Sequence, residues 1–292
     1  MTTQPYPAAL LALDLGTSAA QLRCCTGLKR LGVSRVVLAL SAPLHEVPGL
    51  HESIQQLLQA GLDERKAALE QQGFAVETDI LLGEPHAAAA KLAREKTCDL
   101  LVVGSRVRSL AGDILLGGVA GDLLHYSRAP LLLMRFSPDG EETCACPLAS
   151  LDRVLFATDF SDNAERAWGH LIRLVEGGAK DVVLLHVQDS RKIPESDPEQ
   201  LKIYNEIDTQ RLERLKEDLL ARGAQTVALE LPYGVPAKVL LDRSRQGDLS
   251  LMVLGRQGRG YLRELLVGST SHAVARHAPV PLLLVPMPAA ET

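Results

Sequence analysis

The residues best suited to chemistry lie between Leu251 and Pro286, in LMVLGRQGRGYLRELLVGSTSHAVARHAPVPLLLVP. An apolar run ends at Gly255, Gly258 follows after two residues, and Gly268-Ser269-Thr270 follow after nine more. Glycines spaced this way let the backbone approach an anion and take φ > 0 without a Cβ penalty. Gly268, Ser269 and Thr270 open a helical pattern, so free N–H groups and the positive end of the helix dipole face whatever sits there. Ser269, Thr270 and Ser271 add hydroxyl donors. The chemistry these types serve is the cradling of phosphate. Strand, glycine loop, helix, strand is the order of a βαβ unit. No Gly-Lys-Ser/Thr follows the glycines and no GxGxxG is present, so neither a Walker loop nor a dinucleotide fingerprint is indicated.

Such a loop needs parallel strands to hold it, and the chain supplies them twice. Strands are expected at Leu10–Asp14, Val36–Leu40, Val76–Leu82, Leu100–Gly104 and Leu131–Phe136. Helical patterns separate them, at 19–31, at 54–72 and after Pro85, which suits a first helical position. The second half repeats this order, with strands at Leu155–Asp159, Val182–Val187, Val227–Leu231, Leu251–Gly255 and Leu282–Val285. Ser161-Asp162-Asn163 can cap the helix Ala164–Val175, and Pro198–Arg222 reads as a long charged helix. The repeat holds register: 234 − 83, 255 − 104, 268 − 117 (glycines) and 281 − 130 (prolines) all equal 151. The expected fold is α/β, two repeated doubly wound domains, each an open five-stranded parallel sheet flanked by helices. The boundaries are residues 1–137, a Pro-containing polar linker 138–150, and residues 151–292.

Composition agrees. Hydrophobic residues make up 46% and aromatics 3%, so Leu, Val and Ala build the core, as buried parallel strands require. The net charge of −5 marks no nucleic-acid or anionic-membrane surface. No apolar run reaches membrane-spanning length and the N-terminus lacks a basic signal-peptide region, so a cytoplasmic location is expected. Five cysteines in no framework spacing (Cys24, Cys25, Cys98, Cys144, Cys146) argue against structural disulfides and read as free thiols.

Gly255, Gly258, Gly268 and Ser269 match the G-x2-G-x9-G-[ST] signature, and the chain resembles a tandem member of the ATP-binding universal stress proteins. That resemblance covers nearly the whole chain and implies ATP, with Mg2+ as an optional companion. It implies a site in the second half formed by Ala157, Thr158, Asp159, Val187, Leu254, Gly255, Gln257, Gly258, Gly268, Ser269, Thr270 and Ser271. Asp159 would hold the adenosine, Val187 the adenine, and the glycine loop and serines the phosphates. It also implies a pseudo-symmetric intrachain pair of domains, left open to homodimerisation, with last strands that pair. Protein partners stay unspecified. His186, inside an apolar strand, reads as a core histidine; Arg256, Arg259 and Arg263 read as phosphate contacts or solvated surface arginines.

The first half keeps Asp14, Gly104 and Gly117 but carries Val107 and Gly118 where the second has Gly258 and Ser269. A β-branched residue resists φ > 0, so this half is not expected to bind ATP; Val107→Gly with Gly118→Ser should return weak binding. Leu13-Asp14-Leu15-Gly16-Thr17-Ser18 also resembles the first phosphate motif of actin-like sugar kinases, a fold that needs a β-hairpin there. The expected function is an ATP-binding stress-response regulator acting through binding and protein interaction. A slow ATPase or phosphotransferase, and an adaptor with a vestigial site, are the alternatives. No catalytic residue and no metal ligand is singled out, because no carboxylate pair or general base stands beside the loop.

Overall fold

The computed structural model describes residues 5–42, 51–107, 114–115, 118–136, 148, 150–193, 198–257 and 267–287. Two compact units divide the chain, one of Tyr6–Ala149 and the other of Ser150–Thr292 with Met1–Pro5.

The first unit contains β1 (Ala8–Leu13), a 3-10 helix (Ala20–Leu31), β2 (Arg35–Ala42), α1 (His51–Glu70), β3 (Ala75–Leu82) and α2 (Pro85–Glu95). It continues with β4 (Leu100–Val107), β5 (Ile114–Leu115), α3 (Gly118–Tyr126) and β6 (Leu131–Phe136). Five strands form the sheet in the order β3-β2-β1-β4-β6, every neighbouring pair parallel. Central β1 is buried along its whole length, which explains its unbroken apolar run AALLAL. β1 is followed by a helix and pairs with β2 in parallel. That connection rules out the hairpin of a sugar kinase.

Two expectations change here. The segment 19–31 is helical but of 3-10 type, closed by Gly32 at φ 82, whose N–H bonds to the Leu28 and Lys29 carbonyls. The left-handed φ is why glycine stands there. Cys24 on this helix is disulfide-bonded, whereas Cys25 and Cys98 are not. Cys144 and Cys146 lie outside the described residues. Leu148, two positions after Cys146, packs so closely on Gly27 of the same helix that a Cβ on that glycine would stand 3.0 Å from Leu148.

The second unit contains β7 (Arg153–Ala157), α4 (Asp162–Glu176), β8 (Asp181–Leu185), β9 (Gln188–Asp189), α5 (Pro198–Ala221) and β10 (Thr226–Glu230). Next come β11 (Tyr233–Gly234), α6 (Pro236–Ser244), β12 (Leu251–Gly255), α7 (Ser269–His277) and β13 (Leu282–Val285). Its sheet runs β10-β8-β7-β12-β13, again all parallel. Short β9 and β11 make a separate two-stranded parallel ribbon. Ser161 caps α4, its Oγ accepting the Ala164 N–H at 3.3 Å. β7 ends at Ala157, so Asp159 lies in the turn beyond the strand. Of the five strands in this sheet, the edge strand β10 alone has no buried residue; β12 and β13 are buried.

One ionic clamp ties the far side of this sheet. Arg243, buried on α6, reaches Glu230 at the end of β10 with Nε at 2.9 Å. Its Nη1 and Nη2 hold Asp248 at 2.6 and 3.0 Å, and Arg153 at the start of β7 adds a contact at 3.0 Å. Arg243 first and Arg153 after it hold the Asp248 carboxyl down to about 2. A depressed carboxyl stabilises the fold above its unfolded value of about 4. That contribution is lost as pH falls through about 2. Asp248→Asn should therefore cost about 1 kcal/mol at pH 7, solvent screening included, and the gap to wild type should shrink between pH 4 and pH 2. Urea unfolding across that range checks it; a gap of the same size at pH 2.5 and pH 7 would count against the clamp.

Candidate functional site

Parallel β7 lies between β8 and β12, with Ala157 beside Leu254 on one side and Leu185 on the other. The chain leaves these strand ends in diverging directions, and a crevice opens there, as doubly wound sheets require. A cavity of about 410 Å³ occupies it. From the end of β7 come Ala157, Thr158 and Asp159; from beyond β8 comes Val187. The end of β12 supplies Leu254 and Gly255, Gln257 follows it, and the start of α7 contributes Gly268, Ser269, Thr270 and Ser271. The fold thus brings together eleven of the twelve residues expected from sequence; Gly258 lies outside the described residues.

The geometry at the start of α7 arises from strand-end contacts. The Gly268 N–H donates to the Arg256 carbonyl and the Ser271 hydroxyl to the Gly255 carbonyl, both at 2.8 Å. These bonds fix α7 against the end of β12. Ser271 is therefore engaged in positioning the helix. The helix ladder begins with the His272 N–H to the Gly268 carbonyl, which leaves the amides of Ser269, Thr270 and Ser271 ahead of it as donors. Gly255 is required for a close approach: a Cβ there would stand 2.8 Å from Asn163 Nδ2, which itself donates to the Gln257 carbonyl at 2.9 Å. Asp159 uses Oδ1 to accept the Ser161 N–H at 3.1 Å and the Ser161 hydroxyl at 2.5 Å. It closes the turn while lining the cavity.

The opposite wall was not foreseen. Asp208 on α5 is buried and accepts from Gln188 Nε2 at 3.0 Å and from Arg211 at 3.3 Å. His186 lies 3.4 Å from the same carboxylate through Nε2, while Nδ1 donates to the Thr158 carbonyl at 2.7 Å. His186 is thus buried as expected, yet it lines the cavity and ties α5 to the turn after β7. Phe160 adopts φ 54 in that turn; its ring lies 4.7 Å from His186 and beneath Arg211. A left-handed φ at an aromatic residue is uncommon and marks a conformation imposed by its surroundings. At the rim, Arg191 grips Asp189 through two 2.8 Å bonds and holds its carboxyl below the usual range. Lys192 and Tyr204 also line the cavity. The available signal was Asp208, a charge aligned with buried Leu212 and Leu219 on one helix face. Arg256 is buried, with its pKa lowered to about 10 by loss of solvent, so it is not a solvated surface residue. Arg259 and Arg263 lie outside the described residues.

The first unit differs at the matching place. β4 runs three residues past Gly104, and Arg106 and Val107 pair antiparallel with β5. A Cβ on Gly104 would overlap the ring of Phe136. Gly118 opens α3 with open space around it, and Gly117 lies outside the described residues. Asp14 accepts the Thr17 hydroxyl at 2.9 Å. A strand thus continues, paired with β5, where β12 of the second unit has ended.

The model of the universal stress protein family matches residues 30–135 and 150–286. A universal stress protein of Mycolicibacterium smegmatis is 29% identical over 224 residues, 74% of this chain and 70% of that protein. Universal stress protein MJ0577 of Methanocaldococcus jannaschii is 26% identical over 152 residues, 46% of this chain and 93% of its own length. A solved universal stress protein from Archaeoglobus fulgidus superposes with a TM-score of 0.72 at 23% identity, covering 98% of each chain, and so shares the fold.

Asp208→Ala would leave the buried Gln188 amide without its carboxylate acceptor and release the exposed Arg211. The expected cost is about 2 kcal/mol. Asp208→Asn, which keeps an acceptor for Gln188, should cost less. Equilibrium urea unfolding of both variants distinguishes a structural clasp from a surface pair; equal stability of Asp208→Ala and wild type would contradict the clasp.

Proposed function

The chain belongs to the universal stress protein family, and from that premise we propose that its second unit binds ATP and signals its occupancy by protein contact. The observation that carries this reading is the cavity itself. It joins the amides at the start of α7 and the hydroxyls of Ser269 and Thr270 to the ends of β7 and β12 within one space of about 410 Å³, a size ordinary for small-ligand sites. Adenosine fits between Asp159, Val187 and Leu254, and the phosphates lie over Gly268, Ser269 and Thr270, where the helix dipole favours negative charge. Gly258 would complete the loop. Mg2+ would arrive with the phosphates. Turnover is slow on this reading, since the cavity's described carboxylates are engaged by neighbouring side chains: Asp159 by Ser161, Asp189 by Arg191, Asp208 by Gln188 and Arg211.

The reading extends to a stress-response role, which the family name supports and which sets no particular process or partner. No helix among the described residues is long and apolar enough to cross a membrane.

Calorimetry on the full chain should give about one ATP per chain. Ser269→Gly should weaken binding about 10-fold, the worth of one hydrogen bond to a charged group. Gly258→Val should abolish most of it. Cyclic AMP, lacking the β- and γ-phosphates, should bind more weakly than ATP; equal affinity would remove α7 from the phosphate role. Val107→Gly with Gly118→Ser should add no second site, because β5 and Phe136 hold the first unit's strand end. A stoichiometry of two in that double variant would refute this account.

A further inference from the structure

A second polar cluster lies in the first unit, where the N-terminal end of α2 meets α3. Glu84, His86 and Asp122 each offer a ligand atom there, all within 4.8 Å of one another. We propose that these three side chains form a binding site for a divalent first-row transition ion, with Zn2+ as the representative case.

The His86–Asp122 geometry already suits an ion. His86 Nδ1 lies 3.0 and 3.2 Å from the two Asp122 oxygens. Two donors each about 2.1 Å from a shared ion stand about 3.0 Å apart along an octahedral edge and about 3.4 Å along a tetrahedral one. The Tyr126 ring, one turn after Asp122 on α3, packs 4.6 Å from the His86 ring and holds its orientation. Glu84 is the N-cap residue of α2, yet its side chain makes no cap bond, and it is exposed, so its carboxylate can rotate onto the ion. Asp122 accepts the His86 N–H at 2.6 Å and thereby offsets the positive end of α2, which would otherwise repel a cation. Pro85 contributes no N–H to that end.

The internal repeat separates this site from the needs of the scaffold. At the offset of 151 the second unit carries Val235 for Glu84, Ala237 for His86 and Ala273 for Asp122. Its α6 and α7 meet without any of the three donors. Helix capping accounts for Asp122 and the backbone of His86; it does not account for the imidazole or for Glu84. An imidazole with two carboxylates suits Zn2+ or Mn2+ and gives Mg2+ and Ca2+, which favour oxygen donors alone, no advantage. Binding moves the His86 proton to Nε2 and leaves the remaining coordination positions to water.

The site is independent of the nucleotide reading, and the test uses the full chain without nucleotide, stripped with chelator. Zn2+ calorimetry should show a site whose affinity falls at least about 10-fold in both Glu84→Gln and His86→Ala. Thermal unfolding of the metal-free forms should show both variants folded, and Zn2+ should raise the midpoint of wild type more than that of His86→Ala. In a parallel measurement on wild type, Mn2+ should broaden NMR signals centred on His86. Unchanged Zn2+ affinity in both variants, broadening centred elsewhere, or Mg2+ binding as tight as Zn2+ would overturn the proposal.

Discussion

The second unit depends on one arrangement: β7 is hydrogen-bonded in parallel to β8 on one side and β12 on the other. Parallel strands cannot be joined by short hairpins, so each connection crosses a face of the sheet through a helix. Connections leaving neighbouring strands toward opposite faces open a crevice at the carboxyl end of the sheet. Everything in the cavity follows from that opening. Gly255 lets α4 come close to the strand end, and Ser271 and Gly268 draw α7 onto it. Donors at a helix start then face a space rather than the core.

The two units show how little separates a scaffold from a site. Both have the same strand order and the same proline- and glycine-marked turns. In the second, β12 stops at Gly255; in the first, β4 continues to Val107 and folds back on β5. The extra pairing satisfies backbone groups of Arg106 and Val107 that would otherwise be left without a strand partner. The first unit has instead placed donors at the α2–α3 junction, where its sister has valine and alanines.

Much of this was legible in sequence because its signals are local or repeated. Buried parallel strands read as apolar runs, and their observed ends differ from expectation by a few residues. Register across the repeat placed the loop, and strand order then gathered residues far apart in the chain. What escaped notice depends on tertiary contact. Asp208 is read as one more charge on a charged helix until its burial beside His186 and Gln188 is seen. The 3-10 geometry of 20–31 and the crosslink at Cys24 reflect packing that no periodicity encodes. Val107 looked like a substitution within a loop; it is the last residue of a strand, which β-branched residues favour.

Gly104 and Gly255 occupy the same register, yet they answer to different neighbours. Gly255 gives way to the Asn163 side chain and backbone, and Gly104 to the ring of Phe136. With that ring filling the space, any larger residue at 104 would clash with it, so the glycine is needed for packing whether or not a ligand is bound. A glycine at a motif position can thus answer to packing alone, and its presence by itself says nothing of a ligand.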